Sequence, residues 1–239
     1  MLLLDVGNSR CKWARVENGA WSHHGAIDNA ECAALQRDFA AMSPPARIIV
    51  SNVAGEEMAQ RLRALCAAFP ATPEFIAARS EQCGVSNSYD TPASLGSDRW
   101  AVLIAAWRRI RRACLVVNCG TATTVDALSD TGEFLGGLIL PGITLMQQSL
   151  LHSTAQLADV KGRLQDFPHN TADAIYSGVM RATQGAIQQQ YALLKGSETA
   201  ACILSGGAAD QIEPLLGMPV LRVDNLVLEG LQIIGEASA

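Results

Sequence analysis

The sequence lacks the usual signatures of nucleotide and hydrolase sites. It has no GxxxxGK[ST], which excludes a P-loop. It has no GxGxxG, so a Rossmann dinucleotide site has no support. The protein-kinase signature set and the GxSxG nucleophile elbow are also missing. No CxxC occurs, and the seven cysteines (11, 32, 66, 83, 114, 119 and 202) are odd in number and scattered. That pattern signals neither a disulfide framework nor a zinc site, and reduced thiols of a cytoplasmic protein fit it best. The four histidines (23, 24, 152 and 169) show no metal spacing, and His23-His24 reads as a surface turn. Long apolar runs are absent as well. Ala101–Trp107 and Leu138–Leu140 are far too short to span a membrane. Asp5 interrupts the apolar start, so no signal peptide is expected. Positive charge is not in excess: the formal net charge is -5. Attraction to nucleic acid is therefore not expected, and an anionic ligand needs local cations or backbone N–H groups.

What is present is an ordinary globular composition, 49% hydrophobic and 17% charged, with a repeat inside it. The 239 residues suit one large domain or two small ones. Leu2–Val6 reads as a buried strand, Gly7-Asn8-Ser9 as a turn and Arg10–Glu17 as a second strand. Asn18-Gly19 is a hairpin signal before Ala20–His23. Later, Cys114–Val117 is an apolar run, Asn118–Thr121 a turn and Thr123–Leu128 a strand. Ser129–Gly132 turns again before Glu133–Leu138. The parallel continues. Arg47–Val50, the loop Ser51–Gly55, a helix over Glu56–Ala68 and a strand over Pro73–Ile76 match a second series. That series is Ala201–Leu204, Ser205-Gly206-Gly207, a helix to about Leu216 and a strand over Pro219–Val223. Both series in the same order predict a duplicated α/β fold. A helix over Asp98–Arg112, with Ser97 as N-cap, joins the halves. A longer helix runs from about Thr171 to Lys195. In it, Gly178 and Gly185 are either helix-weakening residues or a smooth face for close packing.

Four segments could carry chemistry. In Asp5-Val6-Gly7-Asn8-Ser9-Arg10-Cys11-Lys12 a carboxylate ends a buried strand. Glycine, amide and hydroxyl donors and a cation follow. Backbone N–H groups in such a turn can cradle phosphate oxygens, and Asp5 can hold Mg²⁺ directly or through water. The plain alternative is a hairpin with a polar turn. Asn118-Cys119-Gly120-Thr121-Ala122-Thr123-Thr124 repeats that logic with hydroxyls, or is a Thr-rich turn. At equivalent places in a duplicated fold, the two turns would hold nucleotide phosphates between halves facing across a cleft. Gly206 and Gly207, ahead of a helix, allow close approach of a nucleotide, though such strand-to-helix loops are common. Tyr89–Arg99 is the fourth segment. Asp98 suits a helix N-terminus, but Arg99 opposes the helix dipole there and asks for another reason, such as a substrate carboxylate. Asp98 could then accept a proton from a substrate hydroxyl. The arginines at 108, 109, 111 and 112 lie at a helix C-terminus, where cations are expected, and read as capping or as a binding patch.

Asp5–Lys12, Gly96-Ser97-Asp98-Arg99, Gly120–Thr124 and the stretch Gly136–Gly142, in that order, resemble the type III pantothenate kinases. The resemblance implies the actin-like fold of acetate and sugar kinases and Hsp70, two ribonuclease-H-like lobes over residues 1–112 and 113–239. It implies a cytoplasmic enzyme that moves the ATP γ-phosphate to pantothenate, giving 4′-phosphopantothenate at the start of coenzyme A synthesis. Asp98 becomes the proton acceptor. Tyr89, Gly96, Ser97, Asp98 and Arg99 contact pantothenate, with Arg99 on its carboxylate. Asp5–Lys12, Gly120, Thr121, Thr123, Gly206 and Gly207 hold Mg²⁺-ATP. Thr171 completes the pantothenate site from the partner subunit of a homodimer, which favours the packing reading of Gly178 and Gly185. The family usually has Asp where this chain has Asn118. That carboxylate ligates a monovalent cation, K⁺ or NH₄⁺, and a neutral amide attracts it less. Two alternatives stay open: a kinase of another small hydroxy acid, and a non-enzymatic actin-like ATP-binding regulator, against which Asp98 argues.

Overall fold

The computed structural model of the chain describes residues 1–153, 162–194 and 200–237. They divide into two compact units: 1–109 with 132–134 and 225–237, and 110–131 with the described residues between 135 and 224.

The first unit opens on a three-strand meander, β1 (Leu2–Val6), β2 (Arg10–Glu17) and β3 (Ala20–Asp28). Leu2, Leu3 and Leu4 are all fully buried, because β1 is the central strand and both faces are covered. Asn18 and Gly19, with φ of 52° and 76°, turn β2 into β3, the two left-handed residues of a type I′ hairpin. A 3₁₀ turn at Asn29–Ala34 leads into α1 (Leu35–Ala40). Then follow β4 (Ile48–Asn52), α2 (Glu56–Cys66) and β5 (Pro73–Phe75). The sheet order is β3-β2-β1-β4-β5, with β1 antiparallel to β2 and parallel to β4. A short hairpin, β6 (Glu81–Gln82) and β7 (Val85–Asn87), precedes α3 (Ser97–Ile110). Helix α3 is shorter than the expected Asp98–Arg112. Arg111, with φ of 51°, breaks it in the left-handed conformation that ends many helices.

The second unit repeats the plan. It contains β8 (Cys114–Cys119), β9 (Ala122–Leu128) and most of β10 (Glu133–Pro141), then α4 (Ile143–Ser153), α5 (Thr171–Leu193), β11 (Ala201–Ser205), α6 (Ala209–Ile212) and β12 (Leu221–Arg222). Strand β8 is antiparallel to β9 and parallel to β11, and the order is β12-β11-β8-β9-β10. The helix expected to reach Leu216 is one α-turn followed by a 3₁₀ turn at Glu213–Leu215, where Pro214 cannot donate the next helical bond. Asn170 caps α5 by accepting from Asp173 N at 2.9 Å. The expected end of that helix at Lys195 lies outside the described residues. The last helix, α7 (Leu226–Ala237), returns to the first unit and lies on β1 and β4. Its Gly230 sits on the backbone of Ala101 in α3, where a Cβ would overlap the carbonyl.

Candidate active site

In the first unit, Asp5 is paired in register with Lys12 on β2 and with Ser51 on β4. The strand ladder therefore brings three polar side chains to one end of a buried strand. The turn beyond is held by Gly7 N donating to Arg10 O at 3.1 Å and by Asn29. The Asn29 side-chain amide donates to Gly7 O at 2.7 Å, and its backbone N–H donates to Ser9 O at 2.9 Å. Asn8, Ser9 and Arg10 are exposed, whereas Val6 and Cys11 point into the core. A Cβ on Gly7 would meet only Arg10 O, at 3.8 Å, so the fold itself leaves room for a side chain. The missing Cβ is what close approach of a ligand phosphate requires. The Asp5 carboxyl is pushed up to about 7. Loss of water around it is the main cause, Asp98 raises it further, and Lys12 pulls the other way. A carboxyl strained toward neutrality in this way gains from a cation beside it, so the turn fits a metal-nucleotide.

The same unit carries the expected acceptor segment. Gly96 is the residue whose carbonyl accepts the first helical bond of α3, from Trp100 N at 3.0 Å. A Cβ there would lie 2.7 Å from Asp98 Oδ1, so glycine makes space for that carboxylate. Asp98 accepts from Arg99 N at 2.8 Å. Ser97, expected as N-cap, is instead the first residue inside the helix. Its hydroxyl bonds to Ser51 Oγ at 2.8 Å, with both groups buried. Ser51, the register partner of Asp5, is thus bonded to the start of the helix that bears Asp98. Arg99 is buried at 5% exposure and donates to the Tyr89 hydroxyl at 2.9 Å. Its guanidinium carbon lies 5.7 Å from the centre of the Tyr89 ring and 5.6 Å from that of Phe134. Tyr89 is fixed through its backbone N–H, which Asn87 Oδ1 accepts at 3.1 Å.

In the second unit, Asn118 stands where Asp5 stands in the first. It is paired with Thr124 on β9 and with Ser205 on β11. Gly120 and Thr121 are exposed, while Thr123 is fully buried. The turn is closed by Gly120 N donating to Ala122 O at 3.0 Å and by Gly142 N donating to Thr121 O at 2.8 Å. Gly142 lies against the Gly120 and Thr121 carbonyls too closely for any Cβ, which gives the Gly136–Gly142 stretch a structural reason. Gly206, with φ of 98°, packs on the backbone of Cys119. Gly207 is exposed, and a Cβ there would meet nothing within 4 Å. Thr171 is the exposed first residue of α5.

The structure therefore gathers Asp5, Lys12, Gly96, Ser97, Asp98, Arg99 and Tyr89 in one unit. Asn118, Gly120, Thr121, Thr123, Gly206, Gly207 and Thr171 lie in the other. Sequence reasoning missed Asn29, Ser51 and Phe134. The repeat held a signal for Ser51, since it and Ser205 sit at equivalent places, beside Asp5 and Asn118. Nothing local marks Phe134, which is brought under Arg99 by a residue 132–134 excursion of the chain. Among the described residues, no group of three or more His, Cys, Asp or Glu could hold a metal unaided. Oxygens from a bound nucleotide would have to complete any such site.

Two sheets of one topology, each with a polar turn after its central strand, define a duplicated ribonuclease-H-like fold of the actin and sugar-kinase type. A solved structure described as a conserved putative Baf family transcriptional activator from Campylobacter jejuni matches with a TM-score of 0.65, at 22% identity, covering 100% of this chain and 99% of that one. MreB5 of Spiroplasma citri bound to ADP matches with a TM-score of 0.57 at 11% identity, covering 99% and 96%. These likenesses carry the fold alone. The sequence carries more: the family model for type III pantothenate kinase matches residues 1–193. The type III pantothenate kinase of Aromatoleum aromaticum is 48% identical over 239 residues, covering 100% of this chain and 99% of the relative. The chain belongs to the type III pantothenate kinase family.

Proposed function

We propose that this chain is an ATP-dependent pantothenate kinase that makes 4′-phosphopantothenate, a step in coenzyme A synthesis. The observation that carries the reading is the start of α3. There Asp98 lies within electrostatic reach of Asp5, and the next residue is a buried arginine held by a tyrosine hydroxyl.

The chemistry follows from these groups. Arg99 holds the carboxylate of pantothenate, and Tyr89 and Gly96 shape the surface beside it. The substrate hydroxyl then faces Asp98, which accepts its proton as the oxygen attacks the γ-phosphorus. The bond from that phosphorus to the bridging oxygen breaks, and ADP leaves with the electron pair. Backbone N–H groups at the tips of the turns, at Asn8 and Ser9 and at Thr121, with Lys12, hold the phosphates, and Gly207 gives the nucleotide room. Asp5 would be the protein-side carboxylate for Mg²⁺ carried by ATP, which would supply neutralisation of phosphate charge. Asn118 offers a neutral oxygen to a monovalent cation such as K⁺ or NH₄⁺.

The protein acts as a cytoplasmic homodimer in which Thr171 reaches the partner's pantothenate. Two features support the dimer. A Cβ at Gly178 or Gly185 of α5 would meet nothing within 4 Å. In addition, Leu138, Ile139, Leu145 and Leu150 of β10 and α4 are exposed. No helix among the described residues is long and apolar enough to cross a membrane.

The direct test is ADP release with pantothenate, ATP and Mg²⁺ across several monovalent salts. Turnover is expected, and Asp98→Asn should lower kcat by about 10²–10⁴-fold while keeping ATP affinity. Absence of turnover in every salt would remove the reading. Turnover with a different hydroxy acid only would move the substrate assignment and leave the kinase.

A further inference from the structure

We propose that Phe134 is a positioning residue for substrate binding, holding Arg99 in the orientation that receives a carboxylate. The inference rests on the pantothenate kinase reading and deepens it.

Phe134 is fully buried, and its ring and that of Tyr89 both lie beside the Arg99 guanidinium. The two rings lie 5.4 Å apart at 41°, and the guanidinium carbon is 5.6–5.7 Å from both centres. The negative face of an aromatic ring attracts a cation, more strongly once water is removed. Arg99 is removed from water almost entirely, so its long side chain needs packing to select one rotamer. Tyr89 supplies a ring and a hydroxyl acceptor. Phe134 supplies a ring only, which makes packing and the cation attraction its whole contribution.

Phe134 is itself firmly placed. The first two residues of β10 run parallel to β7, with Glu133 beside Ser86 and Phe134 beside Asn87. The Ser88 hydroxyl donates to the Phe134 carbonyl. Asn87 in turn holds the Tyr89 backbone, so one short strand pairing sets both rings around Arg99. A fork that is held before substrate arrives loses less rotamer freedom on binding, and that difference appears as affinity. The consequence is specific. Phe134 should matter for a substrate with a carboxylate and not for one without it.

The test compares wild type, Phe134→Leu and Phe134→Tyr, each as the full chain. Pantothenate and its uncharged analogue, with the carboxylate replaced by an alcohol, are measured by calorimetric binding and steady-state kinetics. Phe134→Leu is expected to weaken pantothenate binding and raise its KM about tenfold. KM for ATP and kcat at saturating pantothenate should change less than twofold, and affinity for the analogue should stay that of wild type. Phe134→Tyr keeps the ring and should restore pantothenate affinity. If Phe134→Leu fails to fold, Phe134→Met serves in its place with the same expectations. Equal weakening for pantothenate and the analogue would reduce Phe134 to a core residue, and unchanged pantothenate affinity would overturn the assignment in an otherwise valid kinase. A wild-type protein that neither binds nor phosphorylates pantothenate overturns the function, and this assignment with it.

Discussion

The five strands of the first sheet and the strands β10-β9-β8-β11-β12 of the second follow one order, but their polar turns are built differently. In the first, Asp5 sits between Lys12 and Ser51; in the second, Asn118 sits between Thr124 and Ser205. The first turn has a carboxylate strained toward neutrality and a glycine with space around it. The second has a neutral amide, and the backbone is packed hard around it. Gly142 lies on Gly120 and Thr121, and Gly206 lies on Cys119. Burial pushes the Cys119 thiol up to about 11, so that core position stays uncharged. A duplicated fold can thus supply one turn whose chemistry is electrostatic and another whose chemistry rests on backbone shape.

The largest test of this asymmetry is to make the first turn resemble the second. Asp5→Asn should lower kcat/KM by about 10²-fold or more, through loss of the charge that complements a metal-nucleotide. It should also stabilise the apo protein, and the sign can be worked out. The folded carboxyl titrates near 7 against a reference of 3.8. Between those values the unfolded chain has lost the proton that the folded chain keeps, so stability falls as pH rises through that window. Above it the whole cost remains. Asp5→Asn should therefore melt higher than wild type at pH 8, with the gap closing toward pH 4. An equal gap at both pH values would show that Asp5 is not strained.

Next comes a contrast between glycines. Gly206→Ala places a side chain at a φ of 98° and against the Cys119 backbone, and should cost about 1–3 kcal/mol in a melting experiment. Gly7→Ala and Gly207→Ala should leave the melting temperature within a few degrees but raise KM for ATP several-fold. If all three behave alike in both measurements, the division into shape and charge fails. The smallest expected effect is the reverse exchange. Asn118→Asp adds a carboxylate to the second turn and should increase the response of turnover to K⁺ by a few-fold, read as rate against salt. No change would mean that the amide already serves.

The repeated series of elements was legible because strand, glycine turn and strand recur in both halves, and the Asn18-Gly19 hairpin names its own turn. The helix starting near Gly96 was legible too, but its cap was not. Ser97 looks like an N-cap in sequence, yet a buried partner on β4 competes for its hydroxyl. The helix after Gly207 was overextended because its apolar pattern continues past Pro214, which local bonding cannot follow. Helix α7 left no trace of its destination: it comes last in the chain and packs on the first strand.

By itself, the sequence determined the duplication, the two glycine turns and the Tyr89–Arg99 segment, because these depend on residue type and short spacing. Tertiary structure alone decided which of them meet. The proximity of Asp98 to Asp5, the Ser51–Ser97 bond and the Phe134 ring against Arg99 all join residues distant in the chain. Such pairings follow from the strand register and from the path of the backbone between strands, and no local pattern encodes either.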